Sequence, residues 1–170
     1  MWTKRAAYRV GWRAWKRVGV PFKVAMYIAF ACRKERLAYA VGYAVCEQES
    51  GYRHIFGHDA GGMFPGLPVT EPRYNELRER LRRTKGPGAN GVGLFQITYY
   101  TYILDNPGLW KKRANAYKGT EIVAGNVRAH GVRKGLAVYN GGEGNPQYDY
   151  ATQVEARIDR IRPQLEKEDK

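Results

Sequence analysis

Apolar positions recur along the chain mostly at spacings of three and four, so the pattern predicts helices nearly throughout. Residues 3–18 read as an amphipathic helix with Ala7, Val10, Ala14 and Val18 on one face. Arg5, Arg9, Arg13, Lys16 and Arg17 fall on the opposite side, with Trp2, Trp12 and Trp15 distributed around it. Gly19-Val20-Pro21 interrupts, and Pro21 suits the start of a next helix. Residues 22–34 and 37–49 are apolar nearly all round, as core helices are.

Glycines and prolines then dominate residues 51–69, which predicts an ordered loop. Thr70 suits an N-cap for a helix to about Thr84, with Tyr74, Leu77 and Leu81 as its apolar stripe. Glu76 with Arg80, and Glu79 with Arg83, stand at the favourable i,i+4 spacing. Residues 85–91 read as a flexible connection, and a Tyr-rich helix is expected to run to about Leu104. A turn region over 105–119 follows, then a helix capped by Thr120, bearing Ile122, Val123 and Val127 and ending near Gly131. A short helix over 132–139 stops at Gly141-Gly142. Tyr150, Val154, Ile158 and Ile161 mark the cleanest helix of the chain.

With 170 residues, no internal repeat and no long linker, the expectation is a single compact, mainly α domain with minimal β structure. Residues 1–19 would be a basic helix packed on or appended to the domain, 20–165 the domain proper, and 166–170 a frayed charged tail.

Charge changes this picture at one end. The net charge is +13, and residues 1–36 carry ten Lys or Arg against one acid, Glu35. That asymmetry suits a polyanionic partner, an anionic membrane or wall polymer, or simply a solvated face. No recognised nucleic-acid motif is present, so nucleic acid is not an expected partner. The basic start with apolar 24–32 imitates a signal peptide, but a charged cluster follows it, so it is read as structure. Cys32 and Cys46 sit in apolar runs and are expected to be buried free thiols. His54 and His58 are four apart with Gly57 between them in a loop, so neither a metal nor another cofactor is expected.

Chemistry centres on residues 46–59. An apolar helix ends here in carboxylates, which puts Glu49 where burial can raise its pKa as a general acid needs. Glu47 and Gln48 face other ways on the same helix. Gly91-Val92-Gly93-Leu94-Phe95-Gln96-Ile97 combines close-approach glycines with an amide. Ala137-Val138-Tyr139-Asn140-Gly141-Gly142 puts an aromatic and an amide before a glycine turn. Thirteen tyrosines suit a carbohydrate-binding groove as well as an ordinary half-buried core. Asp59, ten residues after Glu49, reads either as a base that activates water or as the cap of a turn. His58 beside it is placed to help orient it.

Together and in this order, these segments resemble the motifs of soluble lytic transglycosylases and goose-type lysozymes, which cut the glycan strands of peptidoglycan. Glu49-Ser50 matches the family's catalytic Glu-Ser. Gly93-Leu94-Phe95-Gln96 matches its Gly-Leu-Met-Gln, and Val138-Tyr139-Asn140-Gly141-Gly142 matches its Ala-Tyr-Asn-x-Gly. Tyr150 with Val154 matches the opening of the family's last helix. The likeness spans roughly residues 20–160, with Phe95 in place of Met, Val138 in place of Ala, and a longer gap between Glu49 and Gly91.

The resemblance implies a lysozyme-like fold with a Gly-rich active-site loop. It implies cleavage of the β-1,4 bond between N-acetylmuramic acid and N-acetylglucosamine, with Glu49 as general acid. Ser50, Phe95, Gln96, Tyr139 and Asn140 would bind substrate, and Tyr150 would hold or orient Glu49. Residues 55–59 look like a segment of phage cell-wall lysins. That implies a monomer made in the host cytoplasm and released, or carried on a virion, to act at the wall. The reading from another class is a non-catalytic basic binding or virion-structural protein on the same fold.

Overall fold

The computed structural model describes residues 2–85 and 90–166. Helix α1 (Lys4–Arg13) starts at Thr3, whose hydroxyl accepts the Ala6 N–H at 3.0 Å. It runs on into a π-helical turn, Ala14–Val18, which ends at Gly19 in the left-handed region. Helix α2 (Phe22–Glu35) follows Pro21, and α3 (Tyr39–Ser50) follows a left-handed Arg36. The later helices are α4 (Glu71–Thr84), α5 (Tyr100–Asp105), α6 (Lys112–His130), α7 (Val132–Gly141) and α8 (Tyr148–Glu166). Among the described residues β structure is limited to isolated bridges: Ile55 with Pro68, Phe56 with Val92, and Val92 with Ile97.

Helix α3 is the axis of the core. Every residue from Ala40 to Cys46 is buried, so it has no solvent face, as its all-round apolar sequence requires. It packs on α8 and α2 and against the 3-10 turn Gly93–Phe95. Gly42 lets α2 approach closely: a Cβ there would stand 2.3 Å from the Cys32 sulfur. The Tyr43 hydroxyl donates to the Ala25 carbonyl at 2.7 Å, so a buried polar atom is satisfied and the two helices are pinned. Helices α6, α7 and α8 pack in sequence around this centre, and α1 lies on α2. The result is one compact, mainly helical domain. Both cysteines are buried and unpaired with each other, and burial pushes the Cys46 thiol well up.

The stripe Tyr74, Leu77 and Leu81 is buried, as are Val154, Ile158 and Ile161. Several local expectations need correction. Thr120 does not cap a helix: α6 begins eight residues earlier, at Lys112, and Thr120 is fully buried within it. Packing overrides local preference here. Gly119 leaves room for the Phe95 ring, which a Cβ would meet at 2.2 Å, so a weak helix former is required at that place. The turn region over 105–119 therefore shrinks to the residues before Lys112.

Thr70 occupies the N-cap of α4 by backbone conformation, but its side chain makes no capping bond. Glu79 pairs with Arg82, three residues on, rather than with Arg83, and Arg80 reaches the Gly61 carbonyl at 3.3 Å. In the connection expected over 85–91, residues 86–89 lie outside the described residues, whereas Asn90 and Gly91 are buried parts of the site. Of the expected frayed tail, Glu166 closes α8 and residues 167–170 lie outside the described residues.

Candidate active site

Glu49 stands on the last turn of α3, and Gly51, left-handed at φ 57°, ends the helix by returning its N–H to the Glu47 and Cys46 carbonyls. The carboxyl therefore sits at the rim of a buried helix. A cleft of ≈ 590 Å³ opens there, with Glu49, Asp59, Gln96, Tyr139 and Asn140 all on its wall.

Helix α8 fixes the orientation of this segment. The Tyr150 hydroxyl donates to Oε1 of Glu49. Gln48 takes Gln153 of α8 at 3.0 Å, and Glu47 takes Arg160 and Arg157. Consecutive residues Glu47, Gln48 and Glu49 are thus all held from α8, and only Glu49 faces the cleft. Burial pushes its carboxyl up to about 7; the Tyr150 hydrogen bond opposes this, and the charge of Asp59 adds to it. A carboxyl poised near neutrality can both hold and release a proton near pH 7, as a general acid must.

Ser50 and Phe95, expected to bind substrate, have buried side chains that do not line the cleft. Ser50 is 4% exposed, and its hydroxyl donates to the Leu94 carbonyl at 2.9 Å, a tie between the end of α3 and the 3-10 turn. The Phe95 ring is fully buried against Gly119. What Phe95 offers the site is its backbone: its carbonyl accepts the Tyr139 hydroxyl at 2.5 Å, and its N–H donates to Asn115 Oδ1 at 3.2 Å.

Gln96 does line the cleft, in the left-handed region at φ 44°, an uncommon conformation for a residue with a Cβ. Its amide nitrogen donates to the Gly93 carbonyl at 2.7 Å and to Ile55 at 3.1 Å. Its amide oxygen lies over Gly57 and Gly91, where a Cβ would meet it at 2.4 and 2.5 Å. Those two glycines are required by the close approach.

Asp59 is exposed on the cleft wall, and its Oδ2 accepts the Gly91 N–H at 2.6 Å. His58 does not orient it: no hydrogen bond joins the two, and the imidazole packs on left-handed Gly66 instead. The His54 Nε2–H donates to the Trp110 carbonyl at 2.7 Å, and among the described residues no cluster of His, Cys, Asp or Glu could hold a metal.

Two buried asparagines organise the site and were not singled out in the sequence. Asn90 accepts the Met63 and Phe64 N–H groups at 2.7 and 3.2 Å and donates to the Gly57 carbonyl at 2.9 Å, tying residues 57–64 to the segment before Gly91. Asn115 bridges the Val92 carbonyl and the Phe95 N–H from α6. Asn90 stands in a glycine-rich stretch, whereas Asn115 lies among Lys111, Lys112, Arg113 and Lys118 and carries no local signal. Tyr99 and Tyr102, from the Tyr-rich stretch, stack edge-on at 5.3 Å between ring centres and form an aromatic wall of the cleft.

No family model, curated protein or solved structure matches the chain.

Proposed function

We propose that this chain is a lysozyme-like enzyme that cleaves the β-1,4 bond between N-acetylmuramic acid and N-acetylglucosamine in peptidoglycan. Glu49 is its general acid, and residues 51–69 are its Gly-rich active-site loop. The observation that carries the reading is Glu49 itself: a carboxyl buried at a helix end, raised to about 7, held by a tyrosine and open to a cleft. Its proton goes to the glycosidic oxygen as the C1–O bond breaks and an oxocarbenium-like sugar forms. Tyr139 and Asn140 on the wall, and the uncovered ring of Tyr99, suit a long polar polymer with alternating apolar sugar faces. The enzyme would work at the bacterial wall, as a phage lysin released from the host or carried on a virion.

Asp59 decides the second half of the reaction. Its charge reaches Glu49, which supports a base that takes a proton from water as the water oxygen attacks C1. The product then has a reducing muramic end. Its bond to the Gly91 amide supports the other reading, in which Asp59 fastens the loop and the sugar's own hydroxyl attacks, leaving a 1,6-anhydro end.

The test is Glu49→Gln on purified peptidoglycan. The variant should fold, by circular dichroism and melting, and lose turbidity clearing. Retained clearing sinks the enzymatic reading and returns the chain to a non-catalytic binding role.

A further inference from the structure

Helix α1 is built inside out. Its buried face is Ala7, Gly11 and Ala14, while Tyr8, Trp12 and Trp15 are exposed. A surface helix of a globular domain normally turns its large apolar side chains to the core. Here small residues face inward so that α1 can lie close on α2; a Cβ at Gly11 would stand 2.8 Å from the Met26 sulfur. The large rings are left outside at i, i+4 and i+7, one continuous stripe. Phe22, 43% exposed at the start of α2, extends it with its ring 5.4 Å from that of Trp15.

Cations flank this stripe. Arg5, Arg9 and Lys16 are exposed beside it, and Lys23 is exposed next to Phe22. The Lys16 ammonium lies over the Trp15 ring, 3.9 Å from its centre. The first acidic residue of the chain is Glu35. Arg13 and Arg17 serve another purpose: they donate to the Leu165 and Gln164 carbonyls at the end of α8, so the surface stands on a fixed support.

We propose that this face is a docking surface for an anionic phospholipid bilayer, with Tyr8, Trp12, Trp15 and Phe22 entering the headgroup boundary and Arg5, Arg9, Lys16 and Lys23 meeting lipid phosphates. Charge complementarity selects the sign of the partner, and the uncovered rings select a bilayer. A wall glycan would take such rings along a cleft, as at Tyr99, and an anionic wall polymer without sugar faces would be met by cations alone; neither explains four half-exposed rings on the outer side of a helix. Single-stranded nucleic acid would use rings as stacking platforms but in a groove that tracks its backbone, and these rings stand on the outer side of a helix. The contact is peripheral, since no described helix is long and apolar enough to cross a membrane. The inference is independent of what Glu49 does.

The experiment uses the full chain with vesicles of phosphatidylglycerol and phosphatidylcholine in equal parts, and vesicles of phosphatidylcholine alone, read by co-sedimentation and tryptophan emission. Binding to the anionic vesicles should exceed binding to the neutral ones by about tenfold or more at low salt, with a blue shift of emission. Trp12→Ala/Trp15→Ala, and separately Arg5→Ala/Arg9→Ala/Lys16→Ala, should each weaken it by about tenfold, since both the apolar and the charged contributions are required. All five side chains are exposed or half in water, so circular dichroism should be unchanged and clearing of purified peptidoglycan should be retained. Equal binding of the tryptophan variant overturns the proposal, because charge alone then explains attachment. Absence of vesicle binding overturns it too, as does binding to a single-stranded oligonucleotide, lost with the two tryptophans, in place of vesicle binding.

Discussion

The Tyr150 hydroxyl donates to Oε1 of Glu49, so the first turn of α8 holds the last turn of α3 at the one carboxyl of that turn that faces the cleft. A hydrogen bond to a carboxylate favours its charged form and opposes the upward push of burial. Tyr150 thereby sets both where the proton sits and the pH at which it is available.

Tyr150→Phe keeps the ring beside Tyr139 and removes only the donor. The pKa of Glu49 should then rise above about 7. A general acid works while protonated, so the alkaline limb of kcat/KM against pH should move to higher pH. The maximal rate should fall by roughly tenfold or more as the carboxyl loses its fixed position. An unshifted alkaline limb would show that the hydroxyl does not act on Glu49.

Glu49 should also cost the fold stability at neutral pH. Its folded pKa lies above its ordinary 4.5, so the native state binds the proton more tightly than the unfolded chain does. The stabilisation is complete below about 4.5 and is lost as pH rises through about 7. The swing is on the order of 3 kcal/mol. Glu49→Gln, whose amide oxygen can still accept from Tyr150, should remove that slope and be more stable than the native protein at pH above 7. Denaturant titrations at acid and mildly alkaline pH, with parallel slopes for both proteins, would refute the burial account.

Much of this arrangement is legible in the sequence because it follows from periodicity. Tyr74, Leu77 and Leu81, or Val154, Ile158 and Ile161, announce buried stripes whatever surrounds them. Glu49 is legible because an apolar helix runs into it. Ser50 and Phe95 are not: both lie beside cleft residues in the chain, yet backbone geometry turns their side chains inward to Leu94 and Gly119. The start of α6 was hidden because Gly119 and Thr120 read as punctuation, and only the Phe95 ring across the interface explains them. Asn90 and Asn115 bond to backbone groups 20 or more residues away, a relation that no local pattern encodes.

Ser50→Ala should act through structure. It leaves the Leu94 carbonyl without its buried donor, a loss of about 1–3 kcal/mol in unfolding free energy. The expected companion is a lower kcat with little change in KM, since the residue never touches the cleft. An unchanged denaturation midpoint would refute the clamp.

Tyr99→Ala should behave oppositely. The ring is 58% exposed on the cleft wall, so its removal costs the fold little. Contact with a sugar face that is alike in ground and transition states affects binding alone, so KM for soluble glycan fragments should rise by roughly 3- to 10-fold with kcat retained. A fall in kcat at constant KM would place Tyr99 in the chemistry instead.

Asp59→Asn separates the two routes. As the base that activates water, Asp59 supplies a rate factor of about 10²–10⁴, and the asparagine variant should lose that much hydrolysis. The asparagine oxygen can still accept the Gly91 N–H, so the fastening of residues 57–64 survives and melting should be little changed. Mass spectrometry of the native digest should show reducing muramic ends. A native digest of 1,6-anhydro ends, made at near-normal rate by the Asp59→Asn variant, would make the sugar's own hydroxyl the nucleophile and leave Asp59 a fastening for the loop.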